Sequence, residues 1–164
     1  LPTKKKLEML SMERGLPIAL HGFLNDLKQK FTMELIATRC RPTFAHQYAL
    51  GKLRSQGVRL AVCSNSVRST IELMMQRAAL MEYLEFFLSN QDVANGKPDP
   101  EIYTKAMDRL GLEPEQCLIV EDHPNGIAAA KASGAFVLEV ATTADVNLEN
   151  IRSVIARFEE AATC

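Results

Sequence analysis

From Pro42 onward the chain repeats one pattern: an amphipathic stretch of helical period, then a short apolar run, with glycines as punctuation. Phe44 to Gln56 has helical spacing and stops at Gly57, and Val58-Arg59-Leu60-Ala61-Val62-Cys63 follows as a strand. Val67 to Leu80 reads as a helix before the short strand Glu85 to Ser89. Pro100 to Leu110 is a helix with Gly111 as its stop, and Cys117 to Val120 is a buried strand. Asn125 to Ser133 is helical and ends at Gly134, Phe136 to Val140 is a strand, and Leu148 to Ala162 is a closing helix. Strands separated by whole helices cannot pair as hairpins. They predict right-handed βαβ units and a parallel sheet.

The residues before Pro42 carry no strand pattern. Thr3 to Arg14 reads as a helix, with Leu7 and Leu10 at i, i+3, Thr3 able to cap it and Gly15 closing it. Pro17 opens a second helical region, in which Leu20, Phe23, Leu24, Leu27, Phe31 and Ile36 fall near helical spacing. Arg41-Pro42 breaks it. The expected organisation is a helical module over 1–41 and an α/β core over 42–164.

With 164 residues the chain is long enough to bury a real core. Its 19 basic and 20 acidic residues leave a net charge of −1, which argues against a nucleic-acid or anionic-membrane partner. Lys4-Lys5-Lys6 is the one basic run and reads as a solvated helix start. No apolar run approaches the roughly 18 residues that a membrane span needs. Cys40, Cys63, Cys117 and Cys164 are widely spaced, with no pairing or zinc pattern, so a reduced, cytoplasmic protein is expected. No signal peptide is visible.

Three strand ends carry chemistry. Glu121-Asp122 closes the apolar run Leu118-Ile119-Val120, and open α/β sheets bind ligands beyond the carboxyl ends of their strands. Hard carboxylate oxygens there suit Mg²⁺; the alternative is that Asp122 caps the next helix. Ser64-Asn65 follows Cys63, where a hydroxyl can donate to a phosphoryl oxygen, or Ser64 or Ser66 can simply cap a helix. Lys97, between Gly96 and Pro98, can neutralise a phosphate or stand as a solvated loop residue. Asn125 and Gly126 share the turn after the acid pair, and Gly126 lets a ligand approach the backbone. His123 reads as a surface turn residue and Arg68 as an exposed charge, each with a weaker reading as a site group.

Taken in order, these motifs resemble those of the haloacid dehalogenase superfamily, in its Mg²⁺-dependent phosphatase and phosphoglucomutase-like branch. Ala61-Val62-Cys63-Ser64-Asn65-Ser66 is similar to the second motif, Gly96-Lys97-Pro98-Asp99-Pro100 to the third, and Val120-Glu121-Asp122-His123-Pro124-Asn125-Gly126 to the fourth. The resemblance implies a three-layer, Rossmann-like α/β fold with a partial helical cap over 1–41 that closes over the site. It implies catalytic roles for Lys97 and Ser64, phosphate binding by Ser64, Asn65, Lys97 and Asn125, and Mg²⁺ held by Asp122 and Glu121. Lys4, Lys5 and Arg14 are weak candidates for substrate contact.

One departure stands out. The family's first motif is Asp-x-Asp on the first strand, and no two aspartates here are spaced i, i+2. The chain opens on Leu1, and the expectation is a core lacking its first strand and its nucleophile. The implied activity is removal of phosphate from a small phosphorylated metabolite through an aspartyl-phosphate, the chain by itself being inactive. Phosphomutase chemistry, a non-catalytic binding protein and a metal-free dehalogenase are the alternatives. A monomer or small homo-oligomer is expected.

Overall fold

The computed structural model describes residues 3–162, with side chains through residue 157. The chain divides after Cys40 into two compact units.

The first unit is helical. Helix α1 (Thr3–Arg14) is followed by one 3₁₀ turn at Ile18–Leu20 and by α2 (His21–Arg39). Gly15, at φ +69°, makes the turn out of α1 that a side chain would resist. Ser11 Oγ donates to the Leu16 carbonyl at 2.6 Å, and His21 Nε2 lies 2.6 Å from the same hydroxyl. The hydroxyl has one proton and spends it on Leu16, so the ring nitrogen is the donor to Ser11. Leu7 and Ile36 are buried, while Phe23, Phe31 and Leu35 are exposed.

The second unit alternates as its sequence demands. Its elements are α3 (Phe44–Ser55), β1 (Ala61–Cys63), α4 (Arg68–Arg77), β2 (Phe86–Leu88), α5 (Glu101–Leu110), β3 (Leu118–Glu121), α6 (Pro124–Ala132), β4 (Phe136–Glu139) and α7 (Leu148–Ala162). Strand β1 is shorter than the apolar run suggests. Val58 N–H turns back onto the Leu53 carbonyl at 3.0 Å and closes α3, while the Leu60 carbonyl accepts the Glu85 N–H at 2.9 Å and leads into the strand. Helix α4 stops three residues early because Ala79 adopts φ +53°, a place usually taken by glycine. Gly111, at φ +63°, ends α5 as read from sequence.

All strand pairs are parallel, but the sheet is in two halves. β1 pairs with β2 (Ala61 opposite Phe86, Cys63 opposite Leu88), and β3 pairs with β4 (Leu118 opposite Phe136, Glu121 opposite Glu139). Every residue of β1 and of β3 is only half-buried, unlike strands of a covered parallel sheet. One apolar core nevertheless joins the halves: Leu88, Ile102, Tyr103, Ala106, Met107, Ala129 and Ala130, with Cys63, Ile119 and Val137 against it. Helices α5 and α6 supply that layer, and α3 and α7 pack together with Ala49, Leu53, Ile151 and Val154 buried. Among the described residues no helix is long and apolar enough to cross a membrane.

Candidate active site

The carboxyl ends of β1 and β3 meet at one side chain. Lys97 is buried, and its Nζ donates to the Cys63 carbonyl at 3.0 Å and to Glu121 Oε1. The Tyr103 ring lies beside the ammonium, 4.6 Å from Nζ to the ring centroid. An ammonium out of water needs both a counter-charge and hydrogen-bond partners. Lys97 has Glu121 for the first, and Cys63 and Glu121 for the second.

Glu121 is equally committed. Besides Lys97, its carboxylate accepts the Tyr103 hydroxyl at 2.5 Å and the Asp122 N–H at 3.2 Å. Burial pushes its carboxyl up, but the bonds from Lys97 and Tyr103 and the Lys97 charge outweigh that and hold it below the usual carboxylate range. Tyr103 is pushed well above an ordinary phenol by burial and by the Glu121 carboxylate. Gly126 explains how Glu121 fits: a Cβ there would lie within 3.0 Å of the Glu121 carboxylate carbon and both its oxygens. The close approach inferred at Gly126 is therefore to a side chain of this chain.

Asp122, the next residue, is exposed. It does not cap α6. His123 does, its ring Nδ1 accepting the Asn125 N–H at 3.1 Å. Asn125 stands half-buried in the first turn of α6. Ser64 N–H donates to the Leu88 carbonyl at 3.0 Å, and Ser64 Oγ accepts the Ser66 N–H at 3.2 Å. Neither Ser64 nor Ser66 caps α4, whose N-cap is Val67 with no side-chain bond. Among the described residues the Ser64 hydroxyl acts as an acceptor, from the Ser66 N–H. The Asn65 amide bonds to the Lys97 backbone.

Arg68 pairs with Asp92 Oδ1 at 2.5 Å and covers the Phe87 ring, 5.2 Å from its centroid, so it serves the loop after β2. Lys4, Lys5 and Arg14 are exposed residues of the helical unit. Tyr103 was not legible as a site residue: it occupies an apolar position of the strongly amphipathic α5, and only its contact with Glu121 reveals the hydroxyl's use.

Two carboxylates and a strand-end hydroxyl are hard oxygen donors, the chemistry Mg²⁺ prefers, and that ion keeps waters and substrate oxygens in its shell. Among the described residues no cluster of three or more His, Cys, Asp or Glu forms a protein-only cage. Glu121 and Asp122 are donors of the type that ion takes, with Glu121 already bonded to Lys97 and Tyr103.

The family model for haloacid dehalogenase-like hydrolases matches residues 3–140. A validoxylamine A 7'-phosphate phosphatase of Streptomyces hygroscopicus subsp. limoneus is 36% identical over 96 residues, covering 58% of this chain and 45% of that protein. A CBBY-like protein of Arabidopsis thaliana is 37% identical over 143 residues, covering 80% and 43%. The chain spans less than half the length of the curated relatives it matches. Among solved structures, a β-phosphoglucomutase of Clostridium difficile superposes with a TM-score of 0.77 over 99% of this chain and 79% of its own, at 17% identity, which bears on the fold. A family model covering most of the chain, on a parallel α/β core with its chemistry at the strand ends, shows that this chain belongs to the haloacid dehalogenase-like hydrolases.

Proposed function

We propose that this chain forms the phosphate- and metal-binding part of a Mg²⁺-dependent phosphatase that acts on a small phosphorylated metabolite, of the sugar phosphate or phosphoglycolate type. The observation that carries this is Lys97: a buried ammonium at the sheet's carboxyl edge, fixed to the ends of both inner strands beside an acid pair. Lys97 offsets phosphoryl charge and Ser64 Oγ donates to a phosphoryl oxygen. Asp122 and Glu121 would hold Mg²⁺, which supplies further neutralisation of the phosphate when bound.

The nucleophile is an aspartate carboxylate on an extended segment lying between β1 and β3. The split sheet, the half-buried residues of both inner strands and the short span relative to the relatives all support that reading. The carboxylate oxygen attacks phosphorus and the P–O ester bond breaks. The ester oxygen takes a proton from the second aspartate of that segment's Asp-x-Asp and leaves as the free alcohol. Water, giving a proton back to that aspartate, then cleaves the aspartyl-phosphate to inorganic phosphate and the restored carboxylate.

The test is phosphate release from sugar phosphates and phosphoglycolate by the protein carrying that segment. Activity should require Mg²⁺, and Lys97→Ala should lower turnover by about 100-fold or more. Asp122→Asn should shift the Mg²⁺ titration to higher concentration. Near-normal turnover of Lys97→Ala would sink the assignment. Residues 1–164 alone should turn over nothing, and phosphate release by them would refute the separate nucleophile.

A further inference from the structure

Asn65 makes two hydrogen bonds with its side-chain amide, and both go to one residue. The Lys97 N–H donates to Asn65 Oδ1 at 3.1 Å, and Asn65 Nδ2 donates to the Lys97 carbonyl at 3.2 Å. An amide presents a donor and an acceptor edge like a peptide group. Used together, they fix the peptide on each side of Lys97. Gly96 leaves the room: a Cβ there would stand 3.0 Å from Asn65 Oδ1 and 3.4 Å from Cγ and Nδ2.

The flanks of the same loop are tied separately. Glu101 accepts the Ala94 N–H at 3.0 Å and the Asn95 N–H at 2.8 Å, and Asp99 accepts the Glu101 N–H at 2.9 Å. Those bonds shape the loop internally. The Asn65 pair ties its middle to the turn after β1, the strand whose end also binds the ammonium through Cys63.

We propose that Asn65 is a positioning residue that sets where the Lys97 ammonium stands, and not a phosphate ligand in its own right. The proposal rests on the reading of Lys97 as the phosphate-facing cation. Its logic is geometric. A lysine stem is long and rotatable, so the placement of its backbone decides whether Nζ can reach both strand ends at once. The orientation of the Asn65 amide is dictated by Lys97, so it does not follow an incoming anion.

Inorganic phosphate titrated into the full chain with Mg²⁺, followed by phosphorus NMR, tests this. Asn65→Ala should weaken phosphate binding by about tenfold, the scale of one charge-assisted hydrogen bond. In a Lys97→Ala background it should change nothing further, because the group it positions is gone. Multiplying effects in the double variant would overturn the proposal. Gly96→Ala crowds the clamp without reaching phosphate and should reproduce the loss; unchanged affinity would also overturn it.

If the unaltered chain binds no phosphate, the reading of Lys97 fails, and amide exchange then judges the clamp. Faster exchange at Lys97 in Asn65→Ala or Gly96→Ala, with Ile119 and Val137 protected as before, supports it. Unchanged exchange at Lys97 refutes it.

Discussion

Gly126→Ala probes the tightest approach in the site. The new methyl group would collide with the Glu121 carboxylate, whose two oxygens and carbon all lie within 3.0 Å of the Cβ position. Helix α6 is anchored by its His123 cap and by Ala129 and Ala130, both fully buried, so the carboxylate is the part that yields. Moving it breaks the Lys97 pair and the Tyr103 bond. Stranding a buried charge costs about 3–5 kcal/mol. Glu121 is 11% exposed and can swing toward water, which puts its loss at the lower end of that range. Alanine also favours a helix over glycine by about 1 kcal/mol. The net expectation is a destabilisation of about 2 kcal/mol in urea unfolding. The decisive measurement is the same substitution beside Glu121→Ala. With the carboxylate gone no clash remains, only helix propensity acts, and Gly126→Ala should stabilise by about 0.5–1 kcal/mol. A stabilising effect in the unaltered protein, or the same sign in both backgrounds, would refute the reasoning.

Tyr103→Phe deletes the hydroxyl that Glu121 accepts and should destabilise by about 1–2 kcal/mol in the same assay, with the Glu121 carboxyl titrating at higher pH by carbon NMR; an unmoved Glu121 titration would contradict the bond. Glu101 is held at about 2, below its ordinary 4.5, by Lys105 and by the Ala94 and Asn95 N–H groups. A depressed carboxyl stabilises above its unfolded value and loses that contribution as pH falls through the folded one, so stability should fall between about pH 4.5 and 2, and the Ala94 and Asn95 amide shifts of the folded protein should titrate with a midpoint of about 2; a midpoint at 4.5 would rule out the tie. The Cys63 thiol is pushed up to about 12, chiefly by burial. At pH 8 Cys63 should resist an aromatic disulfide reagent until the protein unfolds, and fast labelling mapped to it would show the strand end to be open.

What the sequence disclosed, and what it withheld, follows from the range over which each feature is determined. Alternation of helices and short apolar runs is local, and every helix and strand of the second unit lies where its period and its glycines put it. Boundaries were less legible where a turn used residues of the wrong type. Ala79 ends α4 in a conformation that glycine signals, and Val58 looks like strand but closes a helix. Two of the motifs lie at strand ends, Ser64 after β1 and Glu121 closing β3, and Lys97, in the loop after β2, reaches both ends through the Cys63 carbonyl and Glu121. Which partner each would hold was not readable. Tyr103 sits six residues from Lys97 and 18 from Glu121, and only α5 packing under both half-sheets brings the three together. His123 as a cap was hidden for another reason: imidazole rarely takes that place, and Asp122 beside it is the residue that usually does.

The acid pair shows best how geometry refines a motif. Adjacent residues of a strand point to opposite faces, so Glu121 and Asp122 cannot both enter the crevice in the same way. Glu121 turns inward onto Lys97 and Tyr103, and Asp122 stays exposed. In this structure Glu121 is thus the counter-ion of the buried Lys97 ammonium. An anion arriving at Lys97 must share that ammonium with Glu121, and two negative groups around one cation are stable only if more positive charge comes with the anion. On the proposed function, the divalent ion at Asp122 and Glu121 brings that charge. On that proposal the effect of Glu121 on anion binding would depend on the metal: without it the carboxylate would compete with phosphate for Lys97, and with it the carboxylate would help to hold the charge that both require. Lys97 and Glu121 form one ion pair across two strand ends, so the third and fourth motifs are coupled in space.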